Sequence, residues 1–131
     1  MNFILAALIA LGALLNLVLG VSFFVDPALA GVDFGVSASG AMGLSAMRGD
    51  FTAFFLTSAG FMAWGAWKRR GDVLLPALAL FAIAFTGRLV NLFAVGFYEG
   101  WWMPMTVEAL HVFVLTFAML RWRGGAMRTA P

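Results

Sequence analysis

The chain has 131 residues, 63% hydrophobic and 11% charged, with a formal net charge of +2 and a mean hydropathy of +0.99. An ordinary soluble domain is about 25% charged, and so short a chain has too little interior to bury 14 Phe, 5 Trp and 8 Met. These figures, with no Cys at all, exclude a soluble globular enzyme, a disordered tail and a disulfide scaffold, and leave an integral membrane protein.

In chain order the first predicted span covers residues 3–25, an uncharged run of the length that crosses a hydrocarbon core, about 20 residues. Ala28-Leu29-Ala30 before Gly31 resembles a signal-peptide cleavage site. However, Met1-Asn2-Phe3 carries no positive side chain, and the apolar run exceeds the roughly 7–15 residues of a signal peptide. It is therefore expected to stay as a span. Asp26-Pro27 ends it, because proline lacks an N–H and disfavours helix before it. The Gly- and Ser-rich stretch 33–43 reads as a loop. The second span covers 44–67, and Lys68-Arg69-Arg70-Gly71-Asp72 forms a polar turn. The third covers 73–95 and the fourth 103–120, with Pro104 suited to the first turn of a helix. The fold class expected for residues 1–131 is all-α, a single integral membrane four-helix bundle.

Orientation follows the basic residues near span ends. Lys68, Arg69 and Arg70 lie on the side that, with four spans, also carries both termini and Arg121, Arg123 and Arg128. Asp26, Asp33 and Glu99 lie on the other. Both termini are therefore expected to be cytoplasmic. Trp64, Trp67 and Trp122 mark the inner interface; Phe97, Tyr98, Trp101 and Trp102 mark the outer one.

A charge inside a span is costly and faces a partner or a cavity. Arg88 lies about 12 Å below the outer end of span three, and Glu108 and His111 lie about 6 and 10 Å deep in span four, at 1.5 Å per residue. Asn91 stands beside Arg88, and Arg48 and Asp50 open span two. These six groups are expected to line one polar cavity in the outer half. The candidate ligand-binding residues are Arg48, Arg88, Asn91 and Glu108. The candidate catalytic residues are Glu108, Asp50 and His111. Plainer roles stay open: Arg88–Glu108 as an interhelical ion pair, Arg48 and Asp50 as headgroup-level residues, and His111, Asn91 and Asn16 as packing groups. Gly12 and Gly20 flank Asn16 at intervals of four, a stripe suited to close helix packing, and Gly60 with Ala63 suggests the same on span two. A lone His111, and a single Glu108-x-x-His111 pair where a di-metal bundle needs two, predict no metal site. No cofactor is indicated. The small net charge and the placement of basic residues at span ends predict no nucleic-acid partner.

Asp26-Pro27, Ala46-Met47-Arg48-Gly49, Gly87-Arg88 and Glu108 resemble the pattern of the domain of unknown function 4345 family, small four-span bacterial membrane proteins. That family favours an aromatic and then a Gly pair after its first Arg. Gly49-Asp50 stands here instead, so Arg48, Arg88 and Glu108 carry over as a shared polar site and Asp50 does not. The resemblance implies a four-helix fold in a bacterial cytoplasmic membrane and implies no reaction. Fluoride channels are set aside for want of their Thr/Phe/Ser signature, and small multidrug exporters because span one has no Glu.

Four functions compete. The leading one is an outer-leaflet cavity for a small amphipathic or anionic ligand, such as a lipid or isoprenoid-like molecule. Next is an intramembrane acid/base enzyme (isomerase, cyclase or hydrolase) on a hydrophobic substrate. A homo-oligomeric transporter or channel, and a structural subunit of a membrane complex, complete the set.

Overall fold

The computed structural model describes residues 1–122, and within them every regular element is helical. Arg123 and Arg128, two of the charges used for orientation, lie outside the described residues. The elements are α1 (Asn2–Val25), α2 (Pro27–Val32), α3 (Gly40–Lys68), a 3-10 turn (Asp72–Leu74), α4 (Leu75–Ala94) and α5 (Trp102–Arg121).

The four long helices fall where the apolar runs predict them. Their packing is cyclic: α1 lies against α3, α3 against α4, α4 against α5, and α5 against α1. Three helical stretches, Asn2–Val25, Asp72–Ala94 and Trp102–Arg121, are long and apolar enough to cross a membrane. The helix expected as the second span, α3, is the longest at 29 residues but more polar. Ser45, Arg48, Asp50, Thr52, Thr57 and Ser58 interrupt its apolar sequence, and it does not meet the same measure.

The breaks between helices have local causes. Asp26 is extended, with φ −138° and ψ 85°, as the residue before proline prefers. It then starts α2, an element the loop reading of the following stretch leaves out. Its side chain accepts from the Leu29 N–H at 3.1 Å, and Pro27 fills the first helical position, where no N–H is needed. At the far end of α3, Arg69 takes a left-handed conformation (φ 50°). The Arg70 N–H then reaches back to the Gly65 carbonyl at 3.1 Å, closing the helix in a Schellman-type turn. Arg70 pairs with Asp72 in the same turn, and its Nε donates to Asp72 Oδ1 at 3.1 Å.

Several hydroxyls within the helices are satisfied locally. Ser22, Ser58, Thr86 and Thr106 each donate to the carbonyl four residues back, at 2.7–2.9 Å. Bonds of that kind let a polar side chain sit in an apolar helix without an orphan donor.

The two ends of the molecule are built differently. At the turn end, Arg121 Nε donates to Asn2 Oδ1 at 3.4 Å, and the Gly71 turn presses on the Met119 backbone. A continuous core fills that half: Leu5, Ile9, Ala13, Met62, Ala66, Leu74, Ala77, Leu115 and Ala118 are all buried. Towards the loop end, residues 26–39 and 95–101 bridge the helices. The core there is a smaller aromatic cluster of Phe23, Met47 and Phe55, joined by Phe34 and Phe51. Phe23 stacks on Phe51 with ring centres 4.5 Å apart. The outward faces of the helices carry exposed Phe3, Leu11, Leu14, Ile83, Phe93 and Phe113, an arrangement suited to hydrocarbon and not to water.

Gly71 has an ordinary φ of −70°, so its requirement is space: a Cβ there would stand 2.7 Å from Met119 Cα. Gly60 has open space where its Cβ would be. Thermal unfolding of the full chain should therefore show Gly71→Ala destabilised by about 1–3 kcal/mol, the usual cost of overpacking. Gly60→Ala should be neutral or gain about 0.5–1 kcal/mol, the helical advantage of Ala over Gly.

Candidate functional site: a polar cavity at the loop end

A cavity of about 800 Å³ opens within the loop-end half, with walls from all four long helices and both loops. The helices reach it with matching segments. Asn16 and Leu19 come from the second half of α1, and Asp50, Phe51, Phe54 and Phe55 from the first half of α3. Ala84 and Arg88 come from the middle and second half of α4, and Met103, Glu108 and His111 from the first half of α5. The Asp33–Gly35 and Tyr98–Gly100 segments complete the rim. The volume lies within the range of small-molecule sites, about 300–1,000 Å³.

Arg88 and Glu108 meet as expected. Arg88 Nε donates to Glu108 Oε1 at 2.8 Å, joining α4 to α5. Glu108 is 7% exposed, and its second oxygen, Oε2, is buried with no hydrogen-bond partner. Arg88 is more open, with a side chain 32% exposed, and Tyr98 lines the same cavity.

A second polar unit lies deeper. Asn16 is 1% exposed. Its amide nitrogen donates to the Gly12 carbonyl at 2.8 Å and meets His111 Nε2 at 3.2 Å. His111 Nδ1 lies 2.8 Å from the Val107 carbonyl. That carbonyl only accepts, so Nδ1 carries the hydrogen and Nε2 accepts from Asn16. Phe81 stacks against the imidazole with centres 4.1 Å apart. Both ring nitrogens are thus engaged, and His111 holds Asn16 in place. Gly12 permits this contact: a Cβ there would stand 3.1 Å from His111 Nε2 and 2.7 Å from Met62 Cε. Both amide hydrogens of Asn16 are used, and no described donor reaches its Oδ1.

Other expected members lie elsewhere. Arg48 does not join Arg88. It lines a separate depression beside Phe24 and Gly49, and its Nε donates to the Phe24 carbonyl at 2.9 Å. Phe24 is in the last turn of α1, where carbonyls lack helical partners and a cation is favoured, so Arg48 caps α1. Asn91 is exposed and outside the cavity wall. Asp50 does reach the rim, and Asp33, Tyr98 and Glu99 accompany it. Asn16, expected only as a packing group, is a full member of the wall. Among the described residues, no three His or carboxylate side chains come together as a set able to hold a metal ion.

No family model, curated protein or solved structure matches the chain.

The coupling of Arg88 to Glu108 can be measured by a double-mutant cycle on denaturant unfolding. Arg88→Met and Glu108→Gln should each cost about 1.5–3 kcal/mol, as for hydrogen bonds to charged groups. The double variant should cost clearly less than their sum. Strict additivity would mean that the pair contributes nothing.

Proposed function

We propose that the chain is a four-span membrane protein whose loop-end cavity receives one small amphipathic ligand from the outer leaflet. The observation that carries this reading is Glu108 Oε2, a buried and unpartnered acceptor on a residue that lines a cavity rich in Phe. Leaving such a group unsatisfied costs about 1–3 kcal/mol or more. A ligand with a polar head at Glu108 and an apolar body against Phe51, Phe54 and Phe81 would remove that cost.

The same reading treats α3 as the remaining span. Its 29 residues extend about 43 Å at 1.5 Å per residue, enough to cross. Lys68, Arg69 and Arg70 gather at the turn end with Asn2 and Arg121, and Asp26, Asp33 and Glu99 at the loop end. By the positive-inside rule the termini then face the cytoplasm and the cavity faces outward, in a bacterial cytoplasmic membrane. The packed core at the turn end offers no continuation of the cavity, which favours a binding site over a through-path in one chain.

A second reading, an acid/base enzyme on a hydrophobic substrate, draws on the same oxygen. Glu108 would exchange a proton through Oε2 while Arg88 holds Oε1, with Asp50 nearer the rim as the alternate carboxylate. His111, with both nitrogens engaged, serves here as a support for Asn16.

Ala84→Trp places a large side chain in the cavity from a small wall residue. Mass spectrometry of protein purified in mild detergent should show a bound amphiphile with the wild-type chain and none with Ala84→Trp, at similar thermal stability. The same species retained in both would contradict a cavity ligand. Conversion of that amphiphile to a new mass, lost in Glu108→Gln, would favour the enzyme.

A further inference from the structure

The charged groups that line the cavity are mostly acidic. With Arg48 committed to the α1 carboxyl end, the wall keeps a single cationic side chain, Arg88, and its Nε is already taken by Glu108. Against it stand four carboxylates: Asp33, Asp50 and Glu99 at the rim and Glu108 within. An anion entering the cavity would pass three like charges, whereas a cation would be drawn in, since an acidic cleft with low-dielectric walls concentrates positive ligands.

The rim charges set only the sign. The interior adds a second, independent requirement, because the polar atoms without a partner there, Glu108 Oε2 and Asn16 Oδ1, are both acceptors. Glu108 Oε2 has none, and Asn16 has spent both amide hydrogens on Gly12 and His111. An acceptor pair calls for a head that donates N–H or O–H. A charge-assisted N–H bond to a carboxylate is roughly twice as strong as a neutral one. The aromatic wall adds a tolerance for positive charge, since Phe faces attract cations, and it shelters an apolar body.

Resting on the reading of the cavity as an amphiphile site, we propose that its ligand is a lipophilic primary or secondary amine, bound as the ammonium. The head donates N–H bonds to Glu108 Oε2 and Asn16 Oδ1. Arg88, neutralised through Oε1, holds the carboxylate in place. A quaternary ammonium satisfies the rim but has no N–H for the buried acceptors. A carboxylate or phosphate head meets the rim with the wrong sign.

The test uses the full chain in phosphatidylcholine nanodiscs and equilibrium dialysis with four probes sharing one body. They are 6-phenylhexylamine, its N,N,N-trimethylammonium form, 6-phenylhexanol and 7-phenylheptanoate, each corrected for uptake by empty nanodiscs. The amine should bind saturably and at least about tenfold more tightly than the other three, the margin that charge-assisted bonds inside a cavity give. Glu108→Gln should remove that margin. Because Glu108→Gln also strips Arg88 of its partner, a second variant is needed that leaves the interior intact. Asp50→Asn with Glu99→Gln changes exposed rim groups only, and it should weaken the amine severalfold while strengthening the carboxylate. Preference for the carboxylate, lost in Arg88→Met, would overturn the proposal. Saturable binding of all four probes alike, unaffected by Glu108→Gln, would also overturn it while leaving the amphiphile reading standing. Absence of saturable binding by any probe would overturn both.

Discussion

A carboxylate buried beside apolar helices is the constraint around which the loop-end half is arranged. Glu108 is 7% exposed and has two oxygens to satisfy. The ion pair with Arg88 answers one of them, and to make it α4 and α5 must meet at this level. A charge of this kind within a helix suited to span a membrane is expensive, and its partner has to come from the bundle itself. The remaining oxygen is buried without a partner, on a residue that lines a space the chain's own side chains do not fill.

The contrast between the halves follows from side-chain supply. Towards the turn end, Ala13, Ala66, Ala77 and Ala118 alternate with Leu5, Ile9, Met62, Leu74 and Leu115. Large and small residues then interdigitate, as close packing requires. Towards the loop end, Phe23, Phe34, Phe51 and Phe55 pack on one another, and Phe34, Phe51 and Phe55 form one wall of the cavity instead of a plug. Asn16, His111 and Phe81 form a floor between the two regimes, bound by hydrogen bonds and a ring stack. That floor ties α1 to α5 while α4 is tied to α5 through Arg88, so polar contacts fix the outline of the hollow half as apolar contacts fix the solid half.

The helices were legible in the sequence because apolar runs of spanning length, broken by few charges, have few alternatives. The short α2 was missed, although Asp26-Pro27 is itself a helix start as well as a stop. For the site, depth along each helix was legible and azimuth was not. Arg48 and Asp50 share a depth, but residues two apart on a helix point about 200° apart. One of the two had to turn away, and Arg48 did, towards the α1 carbonyls. Asn91 likewise leaves the face that Arg88 occupies. Asn16 carried a signal in its position between Gly12 and Gly20, since such a stripe lets two helices close on whatever polar group it holds. Asp33, Tyr98 and Glu99 reach the rim only through the course of the loops, which no periodicity describes.

Water and solutes are expected to reach the space beside Arg88 and Glu108 from one side of the membrane. The chain has no Cys, so single replacements report without background. Ala84 lines the cavity, and Ile83, its neighbour on α4 at the same depth, is 70% exposed on the outside of the bundle. In proteoliposomes, Ala84→Cys should react with a charged methanethiosulfonate, which needs a hydrated thiolate, and Ile83→Cys should stay inert in hydrocarbon. Equal inertness at both positions would mean a dry, closed ion pair and would contradict the account.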